Sequence, residues 1–367
     1  MTAVQIISKS NGFGLTLDVA LLARALENCG VEVVVKEIDR RDARRRRSRL
    51  VRYWAHARRH WHLRHPSRQA RFDANLMIEH LWPEFAAEAR VNVAIPNPEW
   101  FDHRDRGSLS LIDWVWAKTD NTRRIFMQAG IRTHLIGFDS RDRYDASVPR
   151  QPFCLHIAGK SPLKGTEPLL ELWQRNPQWP KLVVVQPSGR LEHAAAPNIE
   201  YRLSYLEDGD LRRLQNECLF HVCPSEAEGW GHYIVEAMSV GAVVITVDAA
   251  PMNELIGADR GLLVRTRPGM QAQNLGRRLV FDDASLTDAM QTAVRMSPAR
   301  REQLGHAARQ WFLANKAGFD RRIAQALAVT CPGQGVRPER MSEHRATALS
   351  AAAAAPTRKG SQGTSSP

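Results

Sequence analysis

Short apolar runs alternate with stretches of helical spacing along most of this chain, and that alternation limits the fold more than any single motif does. Residues 4–10, 31–38, 74–80, 91–95, 111–117 and 134–138 read as strands, while Leu15, Val19, Leu22 and Leu26 put one apolar face on a helix over residues 15–28. Strands of this length with helices between them predict a parallel sheet with helical crossovers. The pattern restarts after Pro149 and Pro152, read as a linker, with strands at 153–158, 182–185, 199–203, 219–223, 243–247 and 262–264. Helices are expected at 167–175, 210–217 and 233–240, and helices alone from about 285 to 329. The expectation is an α/β protein of two Rossmann-like doubly wound domains facing a central cleft, residues 1–148 and 149–330. Ligands of such sheets sit beyond the carboxyl ends of the strands, so the cleft is the expected site. Residues 331–367 shift to Gly, Pro, Ser and Thr with an alanine run at 351–355 and read as a disordered tail.

Composition narrows the class. At 367 residues, 43% hydrophobic and 25% charged, the chain has the make-up of a globular protein with two cores. It contains no run of eighteen apolar residues, and its start lacks a basic region followed by an apolar one, so a cytoplasmic location is the expectation. Five scattered cysteines, Cys29, Cys154, Cys218, Cys223 and Cys331, form no CxxC pair and read as free buried thiols. The net charge of +12 is local: residues 40–71 hold thirteen arginines against one acid, Asp42, an excess equal to that of the whole chain. A surface that grips nucleic acid all round would spread its cations more widely.

The chemistry concentrates in residues 224–236, PSEAEGWGHYIVE, which follow an apolar strand and lead into a helix. Gly229 and Gly231 flank Trp230 and permit unusual backbone angles and close ligand approach. The free amides and positive dipole end of a helix beginning near His232 suit a phosphate or diphosphate. Glu228 lies on the loop and Glu236 more than a turn into the helix, a spacing at which the two could address one ligand from either end of the turn. A second turn, Gly159-Lys160-Ser161-Pro162-Leu163-Lys164-Gly165, joins a strand to a helix and offers two mobile cations to a diphosphate.

The stretch from Glu228 through Glu236 to Gly241 resembles the Glu-x7-Glu motif of retaining GT-B glycosyltransferases, in particular the group 1 (family 4) transferases. The resemblance implies that Glu228 contacts the donor sugar, that Glu236 holds the nucleotide ribose, and that Lys160 and Lys164 hold the diphosphate. Lys160 stands where arginine is commoner, and the spacing to Lys164 is one residue short of the family's pattern. The family commonly has a glycine-rich loop where Gly12 and Gly14 stand in Ser10-Asn11-Gly12-Phe13-Gly14, and sometimes a catalytic histidine near the end of a middle strand, for which His80, beside Glu79, is the candidate. The implied activity is transfer from a UDP- or GDP-sugar co-substrate to an acceptor hydroxyl with retention, in envelope glycan or glycolipid synthesis, with no cofactor and no metal. Asp208-Gly209-Asp210 precedes a helix and reads as helix capping rather than as a metal motif.

Residues 96–101, Pro-Asn-Pro-Glu-Trp-Phe, and Lys118-Thr119 look too specific for plain loops and fall on the acceptor side, without assignable roles. The arginine segment interleaves Tyr53, Trp54, His60, Trp61 and His62. It reads as a solvated insertion, as an attachment to anionic lipid near a glycan or lipid-linked acceptor, or, with no recognised module to support it, as a nucleic-acid binder. A non-catalytic polyanion-binding protein on the same scaffold, or a sugar-nucleotide epimerase, would share much of this sequence.

Overall fold

The computed structural model describes residues 2–10, 12, 14–45, 48–64, 70–186 and 196–332. The first sheet contains β1 (Ala3–Ser8), β2 (Glu32–Glu37), β3 (Phe72–Glu79), β4 (Ala89–Pro96), β5 (Trp114–Ala117) and β6 (Thr133–Leu135) in the order β2-β1-β3-β4-β5-β6. The second contains β7 (Gln151–Ile157), β8 (Leu182–Val185), β9 (Ile199–Arg202), β10 (Cys218–Cys223), β11 (Val243–Val247) and β12 (Gly261–Val264) in the order β12-β11-β10-β7-β8-β9. Every neighbouring pair is parallel. Helices α1 (Gly14–Asn28), α2 (Arg40–Arg45), α3 (Arg49–Arg64), α4 (His103–Arg106) and α5 (Asp120–Gln128) accompany the first sheet. Helices α6 (Thr166–Gln174), α7 (Asp208–Glu217), α8 (His232–Ser239), α9 (Met252–Leu255) and α10 (Asp283–Arg295) accompany the second, and α11 (Pro298–Thr330) closes the described chain.

Central strands covered by helices on both faces have no solvated side to keep polar, which is why β8 is a continuous apolar run and β11 is apolar but for Thr246, whose hydroxyl donates to Cys223 O, both buried along their whole length. Sheet order reverses between β1 and β3 in one domain and between β7 and β10 in the other. At such a switch point the crossovers leave in opposite directions and open a crevice. Residues 158–165 and 224–231, far apart in sequence, therefore leave adjacent strands side by side.

The structure departs from the sequence reading in four places. Pro152 lies inside β7, where a missing amide is tolerated because the ladder to β8 begins only at Cys154 and the register to β10 shifts there. The connection between the sheets is instead the extended stretch 136–150, fastened by Arg143, which donates to Gln215 Oε1 at 2.7 Å and to Asp208 Oδ1 at 2.8 Å. Asp208 consequently caps nothing; Glu207 precedes α7 and makes no side-chain cap. A hairpin, β13 (Thr266–Gln273) with β14 (Gly276–Phe281), extends from the second domain, and Leu275 at its turn packs against the first-domain cluster of Met77, Trp82 and Phe101. Helix α11 also returns to the first domain: Asn315 Nδ2 donates to Phe138 O at 2.7 Å, and Asn28 Nδ2 to Asp320 Oδ2 at 3.0 Å.

All five cysteines are free, and four are buried. No helix among the described residues is long and apolar enough to cross a membrane. Of residues 331–367, read from the sequence as a disordered tail, Cys331 is buried at the end of α11, and residues 333–367 lie outside the described residues, as do positions 46, 47 and 65–69 of the arginine segment.

Candidate active site

The two switch points face each other across a cleft of about 730 Å³. The second-domain wall is formed by the turn after β7, carrying Lys160 and Lys164, and by residues 227–233 after β10. The two turns are pressed together: Gly165 has φ +65°, and a Cβ there would fall 2.3 Å from Pro224 O. Only glycine satisfies both constraints. Beneath them His156, fully buried at the end of β7, bonds Val222 O at 3.0 Å and the Thr166 hydroxyl at 2.9 Å, tying β10 and the start of α6 to one ring. Burial pushes its pKa down to about 4, so the ring is neutral.

Lys164 Nζ forms an ion pair with Glu228 Oε1 and lies 3.8 Å from the centroid of the Tyr233 ring. The same carboxylate oxygen accepts from Ser225 Oγ at 2.6 Å, and Ser225 in turn accepts from the Tyr233 hydroxyl, whose buried phenol is held neutral. Three groups thus fix Glu228 in the mouth of the helix. Gly231 precedes α8 with φ +93° and ψ 54°, a left-handed turn that exposes the first amides of the helix to the cleft.

The first-domain wall has a different composition. Asp18, buried on the apolar face of α1, bonds Lys118 Nζ at 2.5 Å through one oxygen and His232 Nε2 at 2.8 Å through the other. Burial disfavours its charge, but Lys118 and His232 outweigh that and hold its carboxyl below the usual range. His232 also bonds Ser140 Oγ at 2.8 Å, and Ser140 accepts from Trp230 Nε1 at 3.1 Å, a pattern that suits a ring carrying its hydrogen on Nε2. Lys118 reaches Asn97 Oδ1 at 3.1 Å, and Asn97 Nδ2 reaches Glu79 Oε1 at 3.5 Å. Glu79 adopts φ +67° at the end of β3, a backbone strain in a non-glycine residue that lines the cleft. Gly229, which also lines the cleft, leaves room for Asn97, since a Cβ on it would lie 2.1 Å from Asn97 Oδ1.

Of the residues singled out in the sequence, Gly14, Lys160, Lys164, Glu228, Gly231 and His232 line this cleft. Gly12 does not; it has φ +70°, is exposed, and donates its amide to Thr16 Oγ1 at 2.9 Å, while its neighbours Asn11 and Phe13 lie outside the described residues. Glu236 is turned to Gln215, whose Nε2 donates to Oε2 at 3.0 Å, and so joins the Arg143 network of the interdomain connection. His80 stands behind the lining, with Nδ1 3.0 Å from Asp105 Oδ2, while its neighbour Glu79 faces the cleft. Asp18 was missed in the sequence, although a lone acid between Leu15 and Leu22 on an apolar helical face was the available signal.

Two parallel-sheet Rossmann-like domains enclosing a cleft at their switch points make this a GT-B fold. Residues 151–311 match the family of glycosyl transferases group 1, so the second sheet and its site form a group 1 glycosyltransferase domain, and the chain is a glycosyltransferase. Solved structures share the whole two-domain architecture. Sucrose-phosphate synthase from Thermosynechococcus elongatus superposes with a TM-score of 0.63 at 15% identity, over 96% of this chain and 100% of that one. Anabaena HepE, solved with UDP and glucose, does so at 0.62 and 17%, over 90% and 100%. An E. coli trehalose-6-phosphate protein bound with UDP-2-fluoro glucose gives 0.62 at 12%, over 90% and 99%. No curated protein matches the chain.

Proposed function

We propose that the enzyme moves a sugar from a nucleotide-sugar, a UDP- or GDP-sugar, to an acceptor hydroxyl with retention of configuration. The observation that carries this reading is the Lys164–Glu228 pair fixed at the open end of α8. Lys160, Lys164 and the α8 amides supply the positive charge that a departing diphosphate needs, which permits transfer with no metal at that point. Glu228, released from Lys164 when phosphate takes the lysine, orients the donor sugar. Glu236 would hold the ribose only after leaving Gln215. UDP-glucose is the first donor to test, because Anabaena HepE has been solved with it. Glu228→Gln should keep the fold and lower transfer by about a hundredfold or more, measured as nucleotide release and new glycoside. Undiminished transfer would overturn the reading; an altered sugar nucleotide with no glycoside would indicate an epimerase.

The arginine segment supports an acceptor at an anionic membrane surface, in envelope glycan or glycolipid synthesis. Helix α3 is fastened by its inner face, where Ala55 and Arg59 are buried and Arg59 bonds Ala89 O at 2.9 Å and Asp113 Oδ2 at 2.6 Å. Its outer face carries Leu50, Tyr53, Trp54, Arg58 and Trp61, all exposed, at spacings of one helical stripe. Aromatics and a cation turned outward on a rigid helix fit a lipid interface better than water. Sedimentation with vesicles should show binding to phosphatidylglycerol-containing membranes and none to neutral ones, abolished in Tyr53→Ser/Trp54→Ser; equal binding to both would count against it.

A further inference from the structure

Among the described residues, every carboxylate lining the cleft except one is hydrogen-bonded by another residue's side chain. Asp18 is held by Lys118 and His232, Glu79 by Asn97, and Glu228 by Lys164 and Ser225. Glu99, in the loop after β4, is only 4% exposed and lines the same cleft, yet its Oε2 has no hydrogen-bond partner among the described residues. A buried oxygen left without a partner is costly, and this one, closed to solvent as the structure stands, gains a partner when the side chain turns towards the cleft that its residue lines.

Its placement is fixed from both domains. Asn274 Nδ2 of the hairpin turn donates to Glu99 O at 2.8 Å, and the Leu275 amide donates to Pro98 O at 3.0 Å. A Cβ on Gly276 would lie 3.1 Å from Glu99 Cα, so the hairpin backbone rests directly on this residue. The first domain presents the residue and the second clamps its main chain.

We propose that Glu99 is the group on the first-domain wall that binds a hydroxyl of an uncharged sugar acceptor through its unpartnered carboxyl oxygen. This rests on the glycosyl-transfer reading above. The cations of the second wall serve a diphosphate, and the partner substrate approaches from the other side. There the one lysine, Lys118, is already committed to Asp18 and Asn97, while Glu79 and Glu99 offer oxygens to hydroxyls rather than a cation to a phosphate. Burial lifts the Glu99 carboxyl from 4.5 to about 8; its own amide and Lys118 act against this, while Glu228 and Glu79 add to it. At neutral pH the group is a carboxylic acid and donates its proton into the hydrogen bond.

The test uses the full-length chain with UDP-glucose and a panel of neutral mono- and disaccharides and their phosphates. Glutamine mimics the neutral acid, and alanine removes it. Glu99→Ala should raise the acceptor KM at least about tenfold, and Glu99→Gln should stay within about twofold of wild type at pH 7. Wild-type KM should climb above about pH 8, where the acid ionises, while that of Glu99→Gln stays level, and the sugar phosphates should be poor acceptors. The thermal shift produced by UDP should be the same in all three proteins. A wild-type KM in Glu99→Ala, or parallel pH profiles for wild type and Glu99→Gln, would overturn the assignment. Turnover of no sugar-nucleotide by wild type would instead fail the transferase reading. The melting profile then decides for Glu99: a Glu99→Gln gain at pH 9 that vanishes at pH 5 shows the neutral buried acid, and identical profiles refute it.

Discussion

The two walls of the cleft solve opposite electrostatic problems. The second-domain wall presents Lys160, Lys164 and the start of α8, while two histidines buried in the same domain, His156 and His221, stay neutral with pKa values of about 4. The first-domain wall gathers Asp18, Glu79 and Glu99 around one lysine, and its buried acid is the group held neutral. On the reading proposed above, one side balances a departing anion and the other addresses uncharged groups. The contrast teaches that a symmetric pair of sheets need not make a symmetric site, because the loops at each switch point carry independent chemistry.

The comparison can be broken most forcefully at Asp18. Asp18→Ala leaves Lys118 buried without its charge partner and should destabilise the first domain by about 3–5 kcal/mol, with much of the loss restored by adding Lys118→Met. Urea unfolding of the single and double variants checks this, and additive losses would show that the pair is not coupled. On the other wall, Gly165→Ala forces a side chain into a left-handed backbone and against Pro224 O. It should cost about 3 kcal/mol and weaken the UDP-dependent thermal shift, because the two donor turns must separate. A variant that melts and binds UDP as wild type does would show the turns to be uncoupled.

The third effect is smaller and sharpens the contrast by pH. His156 and His221 have folded pKa values near 4 against an ordinary 6.5, so below pH 6.5 the unfolded chain takes up protons that the native state refuses. Stability should then fall towards pH 4 by up to about 1.4 kcal/mol per pH unit for each ring. Glu99 works in the opposite direction: the native state keeps a proton that the unfolded chain releases above pH 4.5, so stability declines as pH rises towards 8. Melting temperatures across pH 4–9 should therefore pass through a maximum, with Glu99→Gln flattening the alkaline side and steepening the rise between about pH 4.5 and 6.5.

Much of the architecture was legible in the chain. The runs at 182–185 and 243–247 coincide with β8 and β11, because a strand buried on both faces is apolar except where a polar group finds a partner, as Thr246 does on Cys223 O. The hairpin β13–β14 was not legible, since Arg267, Pro268, Gly269 and Gln271 show no alternation. What holds it is Leu275 reaching another domain's core. Gly229 and Glu236 were legible as a motif, but their surroundings were not: Asn97 lies against the one and Gln215 holds the other.

Local pattern determined what local physics can enforce: strand and helix, the restart that makes two domains, and the cation-rich turns at helix starts that line one wall of the cleft. Tertiary structure alone decided which acids keep their charge. Asp18 and Glu99 are both buried carboxyls in cleft-lining segments, yet one sits between Lys118 and His232 and the other faces Glu228 and Glu79. Ionisation depends on the nearest charges in space and on exclusion of water, and both are set by residues from about twenty to more than two hundred positions away.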